Sequence, residues 1–223
     1  MTATALKPLP ARASDLAGKV AVIVGAGRES TATAAALASA GVAVTVAAAD
    51  EPAIMRTARA IQRAGGLALA IPTDLGEPHA LGRAMEATTN AFGRLDLAVN
   101  SPGNVRRPGD VAESGCRATY VAMRSELPAM LRSGGGVVVN AALSRSEEAD
   151  CVIGLTRAAA LDHADGEVRV NAIAYGPGTA EDFAATALWL CSERAAQVNG
   201  AAVPVGLRPA QPLTQPGRTS PDS

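Results

Sequence analysis

The residues best suited to bind a ligand lie in a glycine-rich turn near the start of the chain. The segment 24–31 reads VGAGREST, so Gly25 and Gly27 stand between a run of β-branched residues and an alanine-rich run. Glycines in such a strand-to-helix turn let the backbone approach a phosphate, which the free N–H groups at a helix N-terminus can bind. A glycine-rich turn alone is weak evidence for such a site, so the prediction depends on the segments that accompany it.

Groups for acid–base chemistry are scarce. Tyr120 and Tyr175 are the only tyrosines, and the only lysines, Lys7 and Lys19, lie far from both in the sequence. An unassisted phenol has a pKa near 10 and is a poor base at neutral pH. Tyr175 is a catalytic candidate because it lies at the carboxyl end of a predicted strand, where sheets of this kind bind ligands. No Ser-His-Asp, paired-carboxylate or metal-ligand pattern is recognisable, so no metal is predicted.

The cysteines do not suggest a metal site or a disulfide framework. Cys116, Cys151 and Cys191 are odd in number, far apart in sequence and not in metal-ligand spacing. Buried, reduced thiols are the expectation for all three.

The elements that would position these residues alternate along the chain. Short β-branched runs predict seven strands, at 19–24, 42–47, 67–71, 95–100, 136–140, 168–173 and 202–205. Alanine-rich segments between them predict helices at 30–40, 51–64, 77–92, 113–131, 148–164 and 180–190. This alternation is typical of an α/β fold, a single doubly wound Rossmann-like domain with a mainly parallel seven-stranded sheet and helices on both faces.

Composition limits the other possibilities. With 223 residues and 48% hydrophobic content, the chain is expected to form one domain at 15–205. The segments 1–14 and 206–223 are predicted to be disordered, the second because it is rich in Pro, Gly and Ser. A net charge of -1 without charged blocks argues against binding nucleic acid or an anionic membrane. With no apolar stretch long enough to span a membrane and no apolar signal core, a cytoplasmic protein is expected.

Several segments together resemble the classical short-chain dehydrogenase/reductase family, in the family's order. They are LAGKVAVIVGAG at 16–27, FGRLDLAVN at 92–100, ELPAMLRSGGGVVVN at 126–140, VIGLTRAAALDHA at 152–164, VRVNAIAYGPG at 168–178 and ALWLCSERAAQVNGAAVPV at 187–205. The resemblance covers about residues 15–205 and implies a Rossmann core that binds NAD or NADP.

The resemblance assigns cofactor contacts but also shows departures. Matching positions are Gly25, Gly27, Arg28, Asp74, Asn100 and Gly103. Arg28 implies a preference for NADP, since Ala48 replaces the acidic residue that holds the ribose in NAD-using members. Asp74 and Asn100 also have structural interpretations, as a turn cap and as a tie between strand ends.

Glu29 and Thr31 replace the two later glycines of the family's phosphate loop. Like charges about 4 Å apart at an effective dielectric of about 20 cost about 4 kcal/mol, roughly a thousandfold in affinity. Glu29 therefore predicts weak nucleotide binding or none. Alternatively, its carboxylate takes the place of the phosphate at the helix N-terminus, or it turns into solvent and a cofactor binds weakly.

The family's catalytic types are missing from the matching positions. The Tyr and Lys positions fall on Arg145 and Ala149, the Ser position on Leu143 and the Asn position on Gly115. Ser144 is the neighbouring candidate for a displaced serine, although a loop or N-cap serine is the simpler interpretation. The chain is also shortened between the Ser and Tyr positions and after residue 178, where family members carry a lid that excludes water.

Three functional hypotheses follow. The first is an inactive family member that serves as a subunit or scaffold and assembles with itself or an active homologue through helices 113–131 and 148–164 and segment 187–205. The second is an NAD(P)(H)-dependent oxidoreductase with a non-standard site that acts on a carbonyl or hydroxyl of a small molecule. The third is a redox-free enzyme, such as a cyclase or dehydratase, that uses Asn100, Ser101, Ser144 and Tyr175.

Overall fold

A seven-stranded parallel sheet forms the centre of the molecule. The computed structural model describes residues 15–77, 79–102, 114–144, 146, 148–176 and 179–206. The strands are β1 Val20–Val24, β2 Ala43–Ala48, β3 Ala68–Pro72, β4 Leu97–Asn100, β5 Gly136–Leu143, β6 Val168–Tyr175 and β7 Ala202–Val205. The helices are α1 Arg28–Ser39, α2 Glu51–Arg63, α3 Ala80–Phe92, α4 Ser114–Arg132, α5 Ala149–Asp162 and α6 Ala180–Cys191.

The strand order is β3-β2-β1-β4-β5-β6-β7, and every pair of neighbours is parallel. The order reverses between β1 and β4, and a crevice at the carboxyl ends of the strands is the usual ligand site at such a reversal. The doubly wound fold predicted from the alternating pattern is therefore confirmed. Gly103 and, of the predicted disordered segments, residues 1–14 and 207–223 lie outside the described residues.

The core reflects the composition of the chain. β1 and β2 are buried along their whole length, as expected for central parallel strands covered on both faces. Helices α1 and α6 pack on one face of the sheet around Phe183, which is fully buried. Helices α3, α4 and α5 cover the opposite face.

Two strands are longer than the sequence predicts. β5 and β6 stay paired as far as Leu143 and Tyr175, which face each other in the register. β4 ends earlier, where Asn100 is level with Asn140. The longer strands place Tyr175 above the edge of the sheet, beside the crevice.

The structure corrects the expectation of three reduced cysteines. Cys116 on α4 and Cys151 on α5 form a disulfide whose Cα atoms are 5.9 Å apart. The two residues are far apart in sequence, and only the packing of α4 against α5 brings them together. Cys191 is a free, buried thiol, and burial raises its pKa to about 12.

The described residues include neither a membrane-spanning helix nor a cluster of metal-binding side chains. No helix among them has both the length and the apolar character that crossing a bilayer requires. The same residues contain no group of His, Cys, Asp and Glu side chains that could hold a metal ion.

Candidate functional site

The glycine-rich turn lies against the end of β4. Gly25 follows β1 with φ of 133°, a conformation that L side chains rarely adopt, and its N–H donates to Ala47 O at 2.9 Å. A Cβ atom at this position would overlap the carbonyl oxygen of Ser101. Ser30 Oγ donates to that same oxygen at 3.4 Å. Glycine at position 25 thus allows close contact between two strand ends.

The N-terminus of α1 opens onto the crevice. Gly27 is the N-cap residue and provides no side-chain cap, so the first N–H groups of α1 remain without an intrahelical partner. Gly27 and Arg28 are both exposed. This arrangement of turn, helix N-terminus and basic side chain fits the phosphates of a dinucleotide.

The side chain of Glu29 opposes this fit. It lies in the first turn of α1, and its Oε2 is 3.4 Å from the position that a Cβ of Gly27 would occupy. Its charge also acts on the phenol of Tyr175 and raises the pKa of that group. The carboxylate therefore lies beside Gly27 at the N-terminus of α1 and is partly exposed.

Two other predicted contacts have structural roles. Asp74 Oδ1 accepts a hydrogen bond from Gly76 N at 2.8 Å and so caps the turn after β3. Asn100 is fully buried, and its Nδ2 donates to Asn140 Oδ1 on β5 and to Glu126 Oε2 on α4, both at 3.0 Å. Asn100 thus joins the ends of β4 and β5 and does not reach the crevice.

A small pocket lies beyond the ends of β4, β5 and β6. Its volume is about 80 Å³, and its polar side chains are Ser101, Ser146, Glu148 and Tyr175. Tyr175 is only 8% exposed, and its ring meets that of Phe183 edge-on at 5.2 Å. The pKa of Tyr175 is raised, first by burial and then by the charge of Glu29, while a hydrogen bond with Ser101 acts in the opposite direction. The phenol is therefore neutral at physiological pH and acts as a hydrogen-bond donor.

The residues that line this pocket differ from the set that the sequence suggested. Gly115, Leu143 and Ala149 line it, as their matching positions predict, but none carries a group that could transfer a proton. Arg145 lies outside the described residues. Ser144 does not line the pocket, so the four residues of the cyclase or dehydratase hypothesis are not brought together there.

Sequence reasoning missed Ser146 and Glu148. Ser146 Oγ donates to Leu143 O at 2.7 Å within a turn. Glu148 was assigned only as the start of a helix, yet its carboxylate reaches across to Gly115 on α4. The polar run SRSEE at 144–148 was the available signal, but sequence gave no means of telling which of its side chains face the sheet.

A buried polar network lies beneath the pocket. Asn140 Nδ2 donates to Thr156 Oγ1 at 3.0 Å, and Asn140 Oδ1 accepts from Asn100. Asn100 also donates to Glu126, which is fully buried. The network links β4, β5, α4 and α5, which provide most of the pocket walls.

Glu126 is the member of this network that titrates. Burial raises its pKa from an ordinary value of 4.5 to about 7, although the hydrogen bond from Asn100 lowers it. Glu126 Oε1 and Asn100 Oδ1 are both buried without a hydrogen-bond partner among the described residues. Protonation removes the charge of this buried carboxyl group, which burial disfavours.

The variant Glu126→Gln is expected to be more stable than the wild type above neutral pH. Because the folded-state pKa is raised, protonation stabilises the fold fully below pH 4.5, and this stability is lost as the pH rises to about 7. The difference amounts to about 3 kcal/mol. Urea unfolding of both proteins at several pH values measures it, since Gln keeps a donor and does not titrate.

The matched control for this comparison is Glu86→Gln, which removes an exposed carboxylate from α3. This variant should unfold with the wild-type pH dependence. Equal stability of Glu126→Gln and the wild type from acid to alkaline pH would contradict a protonated Glu126.

Known proteins resemble this chain over most of its length. The family model described as enoyl-(acyl carrier protein) reductase matches residues 30–178. Cyclohexanol dehydrogenase from Acinetobacter sp. is 34% identical over 70% of this chain and 71% of its own. An A-factor type γ-butyrolactone 1′-reductase from Streptomyces virginiae is 30% identical over 85% of this chain and 95% of its own. The crystal structure of a hydroxysteroid dehydrogenase from Escherichia coli has a TM-score of 0.75 at 25% identity, covering 85% of this chain and 96% of its own.

Proposed function

The chain belongs to the short-chain dehydrogenase/reductase family, and from that premise we propose that it is an NAD(P)-dependent oxidoreductase acting on a carbonyl or hydroxyl group of a small molecule. The pocket lined by Ser101, Ser146, Glu148 and Tyr175 carries this proposal. It lies at the carboxyl edge of the sheet, beside the crevice that the glycine-rich turn borders. The two relatives named as a cyclohexanol dehydrogenase and a γ-butyrolactone 1′-reductase support the same class of reaction.

The nucleotide would be held at the N-terminus of α1. Gly25 and Gly27 keep the turn open, the free N–H groups face the phosphates, and Arg28 favours the additional phosphate of NADP. Glu29 weakens this binding without filling the crevice. The nicotinamide ring, when bound, supplies hydride transfer.

The protein's own side chains would orient the substrate oxygen. Tyr175 donates a hydrogen bond from its neutral phenol, and the buried Ser101 holds that phenol in place. The pocket beside Tyr175 would receive the carbonyl or hydroxyl end of the substrate.

Calorimetric titration with NADPH, NADP⁺, NADH and NAD⁺ tests the proposal first. Binding of at least one of them in the micromolar to millimolar range is expected, with the NADP pair binding more tightly. A panel of small ketones and secondary alcohols is then followed through the nicotinamide absorbance. No binding of any nucleotide at millimolar concentration would overturn the proposal.

A non-catalytic subunit is the second candidate. Large apolar side chains are exposed on the outer helices, with Leu161 on α5 at 75% and Tyr120 on α4 at 46%. Such side chains favour assembly with a second copy or with an active homologue. This candidate is preferred if sedimentation shows an oligomer whereas no nucleotide binds and no substrate turns over. The cytoplasmic location stays a prediction in either case.

A further inference from the structure

Glu148 is one of two titratable side chains on the described walls of the pocket, and Tyr175 is the other. The Tyr175 phenol is neutral, so it can donate a hydrogen bond but cannot accept a proton from a hydroxyl group. Oxidation of an alcohol needs a group that takes the hydroxyl proton. The carboxylate of Glu148 is the group on those walls that can do so.

The position of the Glu148 carboxylate depends on a glycine in the facing helix. Glu148 immediately precedes α5, and its backbone oxygen accepts the N–H of Val152 at 3.0 Å. A methyl group on residue 115 of α4 would overlap Glu148 Oε2. The missing side chain at Gly115 therefore makes the space that the carboxylate occupies.

Within the described part of the chain, the Glu148 carboxylate forms no ion pair and no hydrogen bond. It is only partly exposed, and the apolar Ala142, Ala149 and Val152 pack together beside it. A carboxylate in such a site keeps its acceptor oxygens available to a ligand. The charge of Glu29 on α1 also acts on Tyr175, which lines the same pocket.

The disulfide fixes the two walls relative to each other. Cys116 follows Gly115 directly, and Cys151 lies one helical turn after Glu148. The bond between them joins α4 to α5 at the place where the carboxylate crosses between the helices. Reduction of the bond would allow the two helices to separate there.

We propose that Glu148 is the catalytic base of the pocket, which accepts the proton of a substrate hydroxyl and is held over Gly115 by the Cys116–Cys151 disulfide. In alcohol oxidation, which rests on the proposed function, the O–H bond breaks and its proton goes to the carboxylate. The C–H bond breaks with its electron pair, and that hydride goes to the oxidised nicotinamide. In the reverse reaction the protonated carboxyl group returns the proton to the new alkoxide oxygen.

Binding to the nucleotide-free protein provides the first test. In protein with ¹³C-labelled glutamate, the carboxyl signal that disappears in Glu148→Gln is assigned to Glu148. Propan-2-ol is expected to shift this signal in the wild type, and the shift should shrink after reduction of the disulfide or in Cys116→Ser. A signal that does not respond to the alcohol would overturn the proposal.

Turnover provides the second test. Glu148→Gln is expected to lower kcat for alcohol oxidation by about 10² to 10⁴-fold, with the nucleotide KM unchanged. Gly115→Ala should give a similar loss, because it displaces the carboxylate and leaves Glu148 itself intact. Glu181→Gln, on the exposed first turn of α6, is the matched control and should turn over like the wild type.

The outcomes of these tests distinguish a failure of the proposed role of Glu148 from a failure of the proposed function. Turnover at the wild-type rate in Glu148→Gln overturns the role of Glu148 and leaves the oxidoreductase function in place. A wild type that binds no nucleotide overturns the proposed function, whereas an alcohol-dependent shift of the Glu148 signal would still support the carboxylate as the hydroxyl-binding group.

Discussion

Glu29→Gln and Glu29→Gly are both expected to bind NADPH more tightly than the wild type, by up to about a thousandfold. The carboxylate of Glu29 stays at the N-terminus of α1, where the phosphates would lie. Two like charges about 4 Å apart cost about 4 kcal/mol at an effective dielectric of about 20. Calorimetric titration of the three proteins measures the gain.

The two substitutions separate charge from shape. If repulsion dominates, Glu29→Gln and Glu29→Gly gain similar affinity, and the gain shrinks as salt screens the charges. If the bulk of the side chain matters as well, only Glu29→Gly recovers the full gain, and Glu29→Gly/Thr31→Gly extends it. Glu51→Gln, which removes the corresponding carboxylate from the first turn of α2, is the matched control. No gain in any Glu29 variant would show that this carboxylate does not limit nucleotide binding.

Gly25→Ala is expected to destabilise the protein by about 4 kcal/mol. A side chain at φ of 133° costs about 1 to 3 kcal/mol in backbone strain. Its Cβ would also overlap the Ser101 carbonyl oxygen, and overpacking of this kind adds about 1 to 3 kcal/mol. The free energy of unfolding in urea measures the sum.

Gly18→Ala is the matched control for this substitution. Gly18 also has a positive φ, of 80°, but a Cβ there would meet no atom within 4 Å. It should therefore cost only about 1 kcal/mol, from backbone strain alone. Equal destabilisation by the two substitutions would contradict the close contact between the glycine-rich turn and β4.

Local patterns predicted the sheet but not the ends of its longest strands. Apolar runs place β5 and β6 correctly, because burial on both faces demands continuous apolar residues. The predicted ends at residues 140 and 173 fall short, since β5 and β6 extend to Leu143 and Tyr175 by pairing with each other. This pairing requires the neighbouring strand, so neither segment alone shows a hydrophobic pattern that marks where its strand ends.

The candidate site likewise contains some residues that the sequence predicted and others that only the structure revealed. Gly25 and Tyr175 could be found from the sequence, because a strand-to-helix glycine and a strand-end residue have positions fixed by the local fold. Glu148 could not be found in this way, because the position of its carboxylate depends on Gly115 in another helix. The disulfide was missed for the same reason, since the spacing of Cys116 and Cys151 carries no signal until α4 packs on α5.

By itself the sequence determined the doubly wound sheet and the glycine-rich turn, because both depend on residue identity and local periodicity. Only the tertiary structure decided which way the Glu29 carboxylate points, that Glu126 is buried with its pKa raised to about 7, and that Glu148 fills the space over Gly115. These features depend on distances between segments far apart in the chain and on the exclusion of water from between them. Both are set when the helices pack on the sheet.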